Sequence, residues 1–298
     1  FALLTPEEAQ IFCHTNAPLD GVHVIESGDV RTVVEAVFGY HSSRAQVKYL
    51  LSETGALQID VRIAWDEKQK LVKLNVPAAF DKTECIGEEA YGREPLRGGS
   101  EENVSHRYTA LCQPIDDGAA FAVLNNGLYG SSFDDAANAL KITLLRSPSY
   151  TAHPLPGRVT MPQDRYMPYI EQGERDFSFA FVVGTREDVL DKAPRLSAHF
   201  NRRPMVLSFY PTGVGEKPQT PVLLRDNDIV TIEAFKKADC GDGYILRLFN
   251  PTEQKQTAVV QVYDAEETVE FGKFEIKTLR YEAGKLREDV LMEGILKE

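Results

Sequence analysis

Apolar and polar residues alternate with a period of two along much of this chain. The clearest run spans 57–65, where the apolar members are Leu57, Ile59, Val61, Ile63 and Trp65. Such alternation is typical of a β-strand with one buried face. A second run at 72–76 follows closely, so residues 66–69 are predicted to form the loop of a β-hairpin. Phe177, Phe179 and Phe181 place three aromatic rings on one face of another predicted strand.

Further predicted strands are separated by turn signals. Residues 21–37 predict two strands joined at 27–29, and Asn-Asn-Gly at 125–127 interrupts the apolar run that begins at Phe121. Pro148 stops a run over 140–145, because proline has no amide hydrogen for a β-ladder. Helical patterns are few, and only 6–12 predicts a short helix, with Thr5 as its N-cap. The pattern therefore predicts an all-β protein built from antiparallel sandwiches.

One boundary between domains is predicted. Residues 211–221 read PTGVGEKPQTP and have no apolar periodicity, which is typical of a linker or long loop. We expect a large antiparallel β-sandwich over 1–212 and a small β-sandwich over 213–298. The predicted strands of the small domain are 229–234, 244–249, 257–263, 267–271 and 274–281.

Composition excludes more functions than it identifies. The net charge of −12 and the pI near 5.1 argue against a nucleic-acid surface, which is normally basic. No run approaches the ~20 apolar residues of a membrane helix. The cysteines are far apart in sequence, which favours reduced thiols and a cytoplasmic protein; they are Cys13, Cys85, Cys112 and Cys240. The chain begins at Phe1 rather than at a methionine, so we expect a fragment.

The sequence predicts no catalytic residue and no metal ligand in this chain. Three pairs of adjacent carboxylates occur, at 88–89, 116–117 and 134–135, and each lies near a glycine or in an expected turn. Neighbouring residues on a strand point to opposite faces, so we expect solvated turns rather than a catalytic pair. The six histidines lack metal-ligand spacing, and neither a G-x-S-x-G elbow nor a P-loop is present.

Several motifs resemble, in order, one known family. They include LNNGLYG at 124–130, LLRSP at 144–148, QGE at 172–174, LRLFN at 246–250 and FEIKT at 274–278. Their order is similar to that of the C-terminal β-domain of glycoside hydrolase family 38, the α-mannosidases, and QGE resembles the bacterial branch. The chain departs from many relatives at Glu171 and Arg175, where Asp and His are usual.

The resemblance implies a galactose-mutarotase-like supersandwich followed by a small sandwich. It also implies that catalysis and zinc belong to an N-terminal catalytic domain of the same polypeptide. The whole enzyme would hydrolyse terminal α-mannosides with retention, and this segment would scaffold that domain and line part of its sugar pocket. A mannosylglycerate-type hydrolase as the parent, a free-standing carbohydrate-binding module and a homo-oligomer stay open.

Six residues are candidates for substrate binding and none for catalysis. Arg146 ends an apolar strand, where its planar guanidinium could donate to sugar hydroxyls; pairing with Asp134 or Asp135 is the open alternative. The resemblance places this region beside the sugar pocket. The remaining candidates lie in the turn at 125–129 and in the QGE motif; they are Asn125, Tyr129, Gln172, Gly173 and Glu174.

Overall fold

The computed structural model describes residues 22–53, 55–115, 117–148, 168–202, 204–208, 210, 213, 215 and 220–293. These residues form twenty strands and one helix, which confirms the predicted all-β class. They group into two compact units. The first comprises Phe1–Gly87 and Pro95–Val189, and the second comprises Glu88–Glu94 and Leu190–Glu298.

Thirteen strands make two sheets, and every strand pair with a described register is antiparallel. The strands are β1 (Val22–Ser27), β2 (Arg31–Tyr40), β3 (Ser43–Ser52), β4 (Leu57–Trp65), β5 (Leu71–Pro77), β6 (Glu84–Glu89), β7 (Gly92–Pro95), β8 (Glu102–Val104), β9 (Tyr108–Cys112), β10 (Ala119–Asn125), β11 (Gly130–Asp134), β12 (Ala139–Arg146) and β13 (Gly173–Thr185). One sheet has nine strands in the order β1-β2-β3-β4-β13-β10-β9-β6-β7. The other has four, in the order β5-β12-β11-β8.

The core of the first unit lies between these two sheets. Ile63 and Trp65 on β4 and Phe179 on β13 point inward from the larger sheet, and Leu140 and Ile142 on β12 meet them from the smaller one. Trp65 is only 2% exposed, as its place at the end of an apolar face predicted. Each large side chain buried in this way contributes roughly 1.5–3 kcal/mol relative to an exposed one.

The second unit holds two smaller antiparallel sheets. Its strands are β14 (Val222–Arg225), β15 (Thr231–Lys237), β16 (Tyr244–Phe249), β17 (Gln256–Val262), β18 (Ala265–Phe271), β19 (Ile276–Glu282) and β20 (Lys285–Asp289). The sheet orders are β14-β17-β18 and β15-β16-β19-β20. Leu246, Leu248, Val260 and Phe271 are buried in a common core. The five predicted strands are confirmed with ends shifted by a few residues, whereas β14 and β20 were not predicted.

A helix, α1 (Arg186–Asn201), was also not predicted from the sequence. Thr185 caps it, since its hydroxyl accepts a hydrogen bond from the Asp188 amide at 3.3 Å. Pro194 lies inside the helix and is normally a helix breaker, which weakens the sequence signal. Within the described residues, no helix is long and apolar enough to cross a bilayer.

The predicted boundary between 212 and 213 stays a prediction. Each compact unit is a set of residues that lie close together in space, and such a set need not be a domain that folds independently. Most of the expected linker at 211–221 lies outside the described residues, as does the expected helix at 6–12.

Three cysteines are free thiols in the described chain, and their reactivities should differ sharply. Cys85 and Cys112 are buried and Cys240 is exposed. Burial raises the pKa of the Cys85 thiol to about 12, so its thiolate fraction at pH 8 is roughly a thousandfold below that of an ordinary cysteine. Iodoacetamide at pH 8 should therefore alkylate Cys240 and spare Cys85 until denaturant is added. Peptide mass mapping of a Cys13→Ser variant checks this, and equal labelling of both sites in native buffer would contradict it.

Candidate functional site

Four connections of the first unit meet at one end of its sandwich. The end of β4 lies opposite the start of β13, with Trp65 paired to Gly173. The end of β12 lies opposite the start of β5, with Arg146 paired to Leu71. The β2–β3 and β10–β11 connections leave their sheets at this same end, as their antiparallel registers require. We call this surface the loop end; it comprises residues 41–42, 66–70, 126–129, 146–148 and 168–174.

The backbone around Arg146 is held firmly while its side chain is exposed. The Arg146 amide donates to Glu171 Oε2 at 2.5 Å. Ser147, fully buried, donates its amide to Lys70 O at 2.8 Å and accepts from the Gln69 amide at 2.7 Å. Among the described residues, the Arg146 guanidinium has no hydrogen-bond or ion-pair partner. A fixed strand end therefore presents a planar set of donors to the surroundings.

The alternative pairing of Arg146 with Asp134 or Asp135 is not seen. Asp134 Oδ2 accepts from Lys141 Nζ at 2.6 Å, and this hydrogen bond holds the pKa of Asp134 below its usual value. The Asp135 carboxylate accepts from the Gly99 amide. Both carboxylates lie at the opposite end of β11 from Arg146.

Asn125 shapes the turn that carries Tyr129. Its amide nitrogen donates to His106 O at 3.0 Å, and its amide oxygen accepts from the amides of Gly127 and Leu128 at 2.9 and 2.7 Å. The side chain is 2% exposed, so these backbone groups occupy both of its polar atoms. Tyr129 is 55% exposed and packs edge-on to the His106 ring. The structure thus offers the Tyr129 ring, and not the Asn125 amide, to a ligand.

The QGE motif is tied to neighbouring strands. Gln172 Nε2 donates to Glu67 O at 2.9 Å, and Gly173 has a φ of 93°, which favours glycine. Glu174 forms an ion pair with Arg62, and this contact raises the pKa of the Arg62 guanidinium. Both members of the pair are exposed, so either can exchange this partner for a ligand at small cost.

Glu67 organises the loop end and was not singled out from the sequence. Its Oε1 accepts from the Ser42 amide at 2.9 Å and from Ser43 Oγ at 3.3 Å, which ties the β2–β3 turn to the β4–β5 loop. Lys68 lies over the Tyr169 ring at 5.3 Å, and Lys70 over the Tyr40 ring at 5.9 Å. These contacts join residues far apart in sequence, so no local motif signals them.

The described residues hold no cluster of three or more His, Cys, Asp or Glu side chains that could bind a metal ion. The expectation that 88–89 is a solvated turn is wrong for Glu88, which lies on β6 and is 5% exposed, while Glu89 is exposed. The two side chains point to opposite faces of the strand, so they do not form a catalytic pair. The loop end has hydrogen-bond donors, hydrogen-bond acceptors and aromatic rings, and such groups together can bind a polar ligand.

Comparisons with known proteins agree with this architecture. The family model for the glycosyl hydrolases family 38 C-terminal domain matches residues 4–157. The model for the family 38 C-terminal beta sandwich domain matches residues 230–279. No curated protein sequence gives a significant match.

Two solved structures share the fold. One is a protein in the glycosyl hydrolase family 38 from Enterococcus faecalis, with 13% identity and a TM-score of 0.70, covering 88% of this chain and 36% of that one. The other is an alpha-mannosidase from Enterococcus faecalis V583, with 13% identity and a TM-score of 0.69, covering 88% and 35%. The chain thus spans little more than a third of either protein. Because the first family model covers more than half of the chain, the chain belongs to the C-terminal domain of glycosyl hydrolase family 38.

Proposed function

We propose that this chain is the non-catalytic C-terminal β-domain of an α-mannosidase. The complete enzyme would hydrolyse terminal α-mannosides with retention, and an N-terminal catalytic domain would supply the zinc and the reacting carboxylates. Membership of family 38 and the shared fold with an Enterococcus faecalis alpha-mannosidase support this assignment. The described residues do not fit a zinc ion, because they contain no cluster of suitable ligands.

The loop end would complete one wall of the sugar pocket, and Arg146 carries this proposal. Its guanidinium is exposed and without a partner in the described chain, while Glu171, Gln69 and Lys70 fix the backbone on either side. A guanidinium donates several hydrogen bonds in one plane, which suits adjacent sugar hydroxyls. Tyr129 adds an exposed ring on which a sugar face can pack.

The isolated chain should not hydrolyse an activated α-mannoside such as 4-nitrophenyl α-mannoside, even with added zinc. The reason is that a retaining glycosidase needs two carboxyl groups about 5 Å apart across the scissile bond, and in the proposed enzyme both belong to the N-terminal catalytic domain. Release of nitrophenol by the isolated chain is measured and compared with its release by the complete enzyme. A blue-shifted fluorescence of the buried Trp65 verifies that the isolated chain is folded. Turnover that disappears when one of the chain's own carboxylates is replaced would refute the proposal.

A further inference from the structure

A second recess lies at the end of the first unit opposite the loop end. It is a cavity of about 500 Å³, within the range of roughly 300–1,000 Å³ that is usual for small-molecule sites. The start of β10, paired to the end of β13, and the end of β11 place it there. Nothing in the proposed role of Arg146 requires this cavity.

Its polar rim combines hydrogen-bond acceptors with a donor. Glu84 forms an ion pair with Arg186 at 2.5 Å, and Arg186 Nη1 also donates to Gln113 O at 3.3 Å. Asp135 also lines the cavity, and its carboxylate accepts from the Gly99 amide. Among the described residues that line the cavity, two carboxylates and one guanidinium leave one negative charge unbalanced. The rim therefore disfavours anionic ligands such as phosphates.

The recess is preformed by close packing at Gly98. A Cβ atom at this position would lie 2.5 Å from Asp135 Oδ2, so the carboxylate approaches the backbone only because residue 98 is glycine. Leu96 and Phe133 form an apolar floor, and Pro114 and Ile115 form an apolar rim that faces solvent. The cavity thus joins carbon surfaces to hydrogen-bonding groups within one recess.

We propose that this cavity is a second saccharide-binding site, separate from the loop end. A neutral sugar presents hydroxyls that donate to carboxylates and accept from a guanidinium, and C–H faces that pack on apolar side chains. Asp135, Glu84 and Arg186 match the first kind of surface, and Ile115 and Pro114 match the second. The unbalanced negative charge carries no cost for a neutral ligand.

Calorimetric titration of the chain with methyl α-mannoside and with mannobiose tests the proposal. Two variants remove the charge of a carboxylate that lines the cavity, with little change in shape: Glu84→Gln and Asp135→Asn. Each should weaken saccharide binding by about tenfold, the effect of one lost hydrogen bond in a recess. Arg31→Ala is the matched control, because Arg31 is an exposed arginine of the first unit that lies in neither the cavity nor the loop end. Thermal melting verifies that every variant is folded.

Arg146→Ala separates this proposal from the proposed function of the loop end. Binding that is weakened by the two cavity variants and unchanged by Arg31→Ala supports the second site, whatever the effect of Arg146→Ala. Binding that is weakened only by Arg146→Ala would overturn it and favour the loop end as the site of contact. Absence of saccharide binding would overturn it too. So would binding of 1,4-diaminobutane in place of the sugars, since the cavity would then be a cation site.

Discussion

In the proposed α-mannosidase, Arg146→Ala should lower kcat/KM for an activated α-mannoside by roughly tenfold to a hundredfold. The guanidinium would donate charge-assisted hydrogen bonds to the sugar, and such bonds are stronger than neutral ones. The backbone of Arg146 is fixed by the bonds of its own amide and of Ser147. Removal of the side chain should therefore leave the fold unchanged. Steady-state kinetics measure the loss of kcat/KM, and thermal melting of the same preparation checks that the fold is unchanged.

A matched control identifies a contact with the sugar. Arg31 is another exposed arginine of the first unit, paired with Glu26 at 2.8 Å, so Arg31→Ala should change kcat/KM little. Arg146→Lys retains the charge but loses the planar donor set, and should recover only part of the activity. Equal kcat/KM values for Arg146→Ala and the parent enzyme would show that Arg146 does not contact the substrate.

The strands were predictable because their signal is local. Alternation over 57–65 defines β4 without knowledge of its neighbours, and its inward face proved to be the buried one. Helix α1 shows the opposite case. Its buried residues include Val189, Ala193 and Ser197. Because Ser197 is polar and Pro194 lies inside the helix, the sequence does not show a clear apolar stripe with helical spacing.

The candidate site was predictable only in part, because the partners of its residues are distant in sequence. The segment of Arg146 could be placed at a strand end, but the ordered backbone around it depends on Lys70 and Glu171. Gln172 bonds to Glu67 and Glu174 pairs with Arg62, across more than a hundred residues in each case. A linear pattern cannot distinguish a side chain already paired in this way from one available to a ligand.

Two asparagines of the family motifs turn out to organise the backbone. Asn125, in LNNGLYG, closes the β10–β11 turn, as described above. Asn250, in LRLFN, is fully buried and donates to Gln254 O and Gly272 O, both at 2.7 Å. Its amide oxygen accepts from the Thr252 amide at 3.0 Å and from Thr252 Oγ1 at 2.9 Å. A short polar side chain that is at once donor and acceptor can hold such a turn, which accounts for asparagine at these positions.

Asn250→Ala should therefore lower the free energy of unfolding by about 3 kcal/mol, since it removes four hydrogen bonds from a buried site and takes away the partner of the buried Thr252 amide. Asn227 is a close control, because its amide also makes four hydrogen bonds, to Gln256, Thr257, Ile229 and Val230. Asn227 is only half-buried, so water can replace its side chain, and Asn227→Ala should cost about 1 kcal/mol. Urea unfolding followed by circular dichroism measures both variants. Equal losses of unfolding free energy in the two variants would show that burial does not determine the effect. An Asn250→Ala variant as stable as the parent would show that Asn250 does not stabilise the turn.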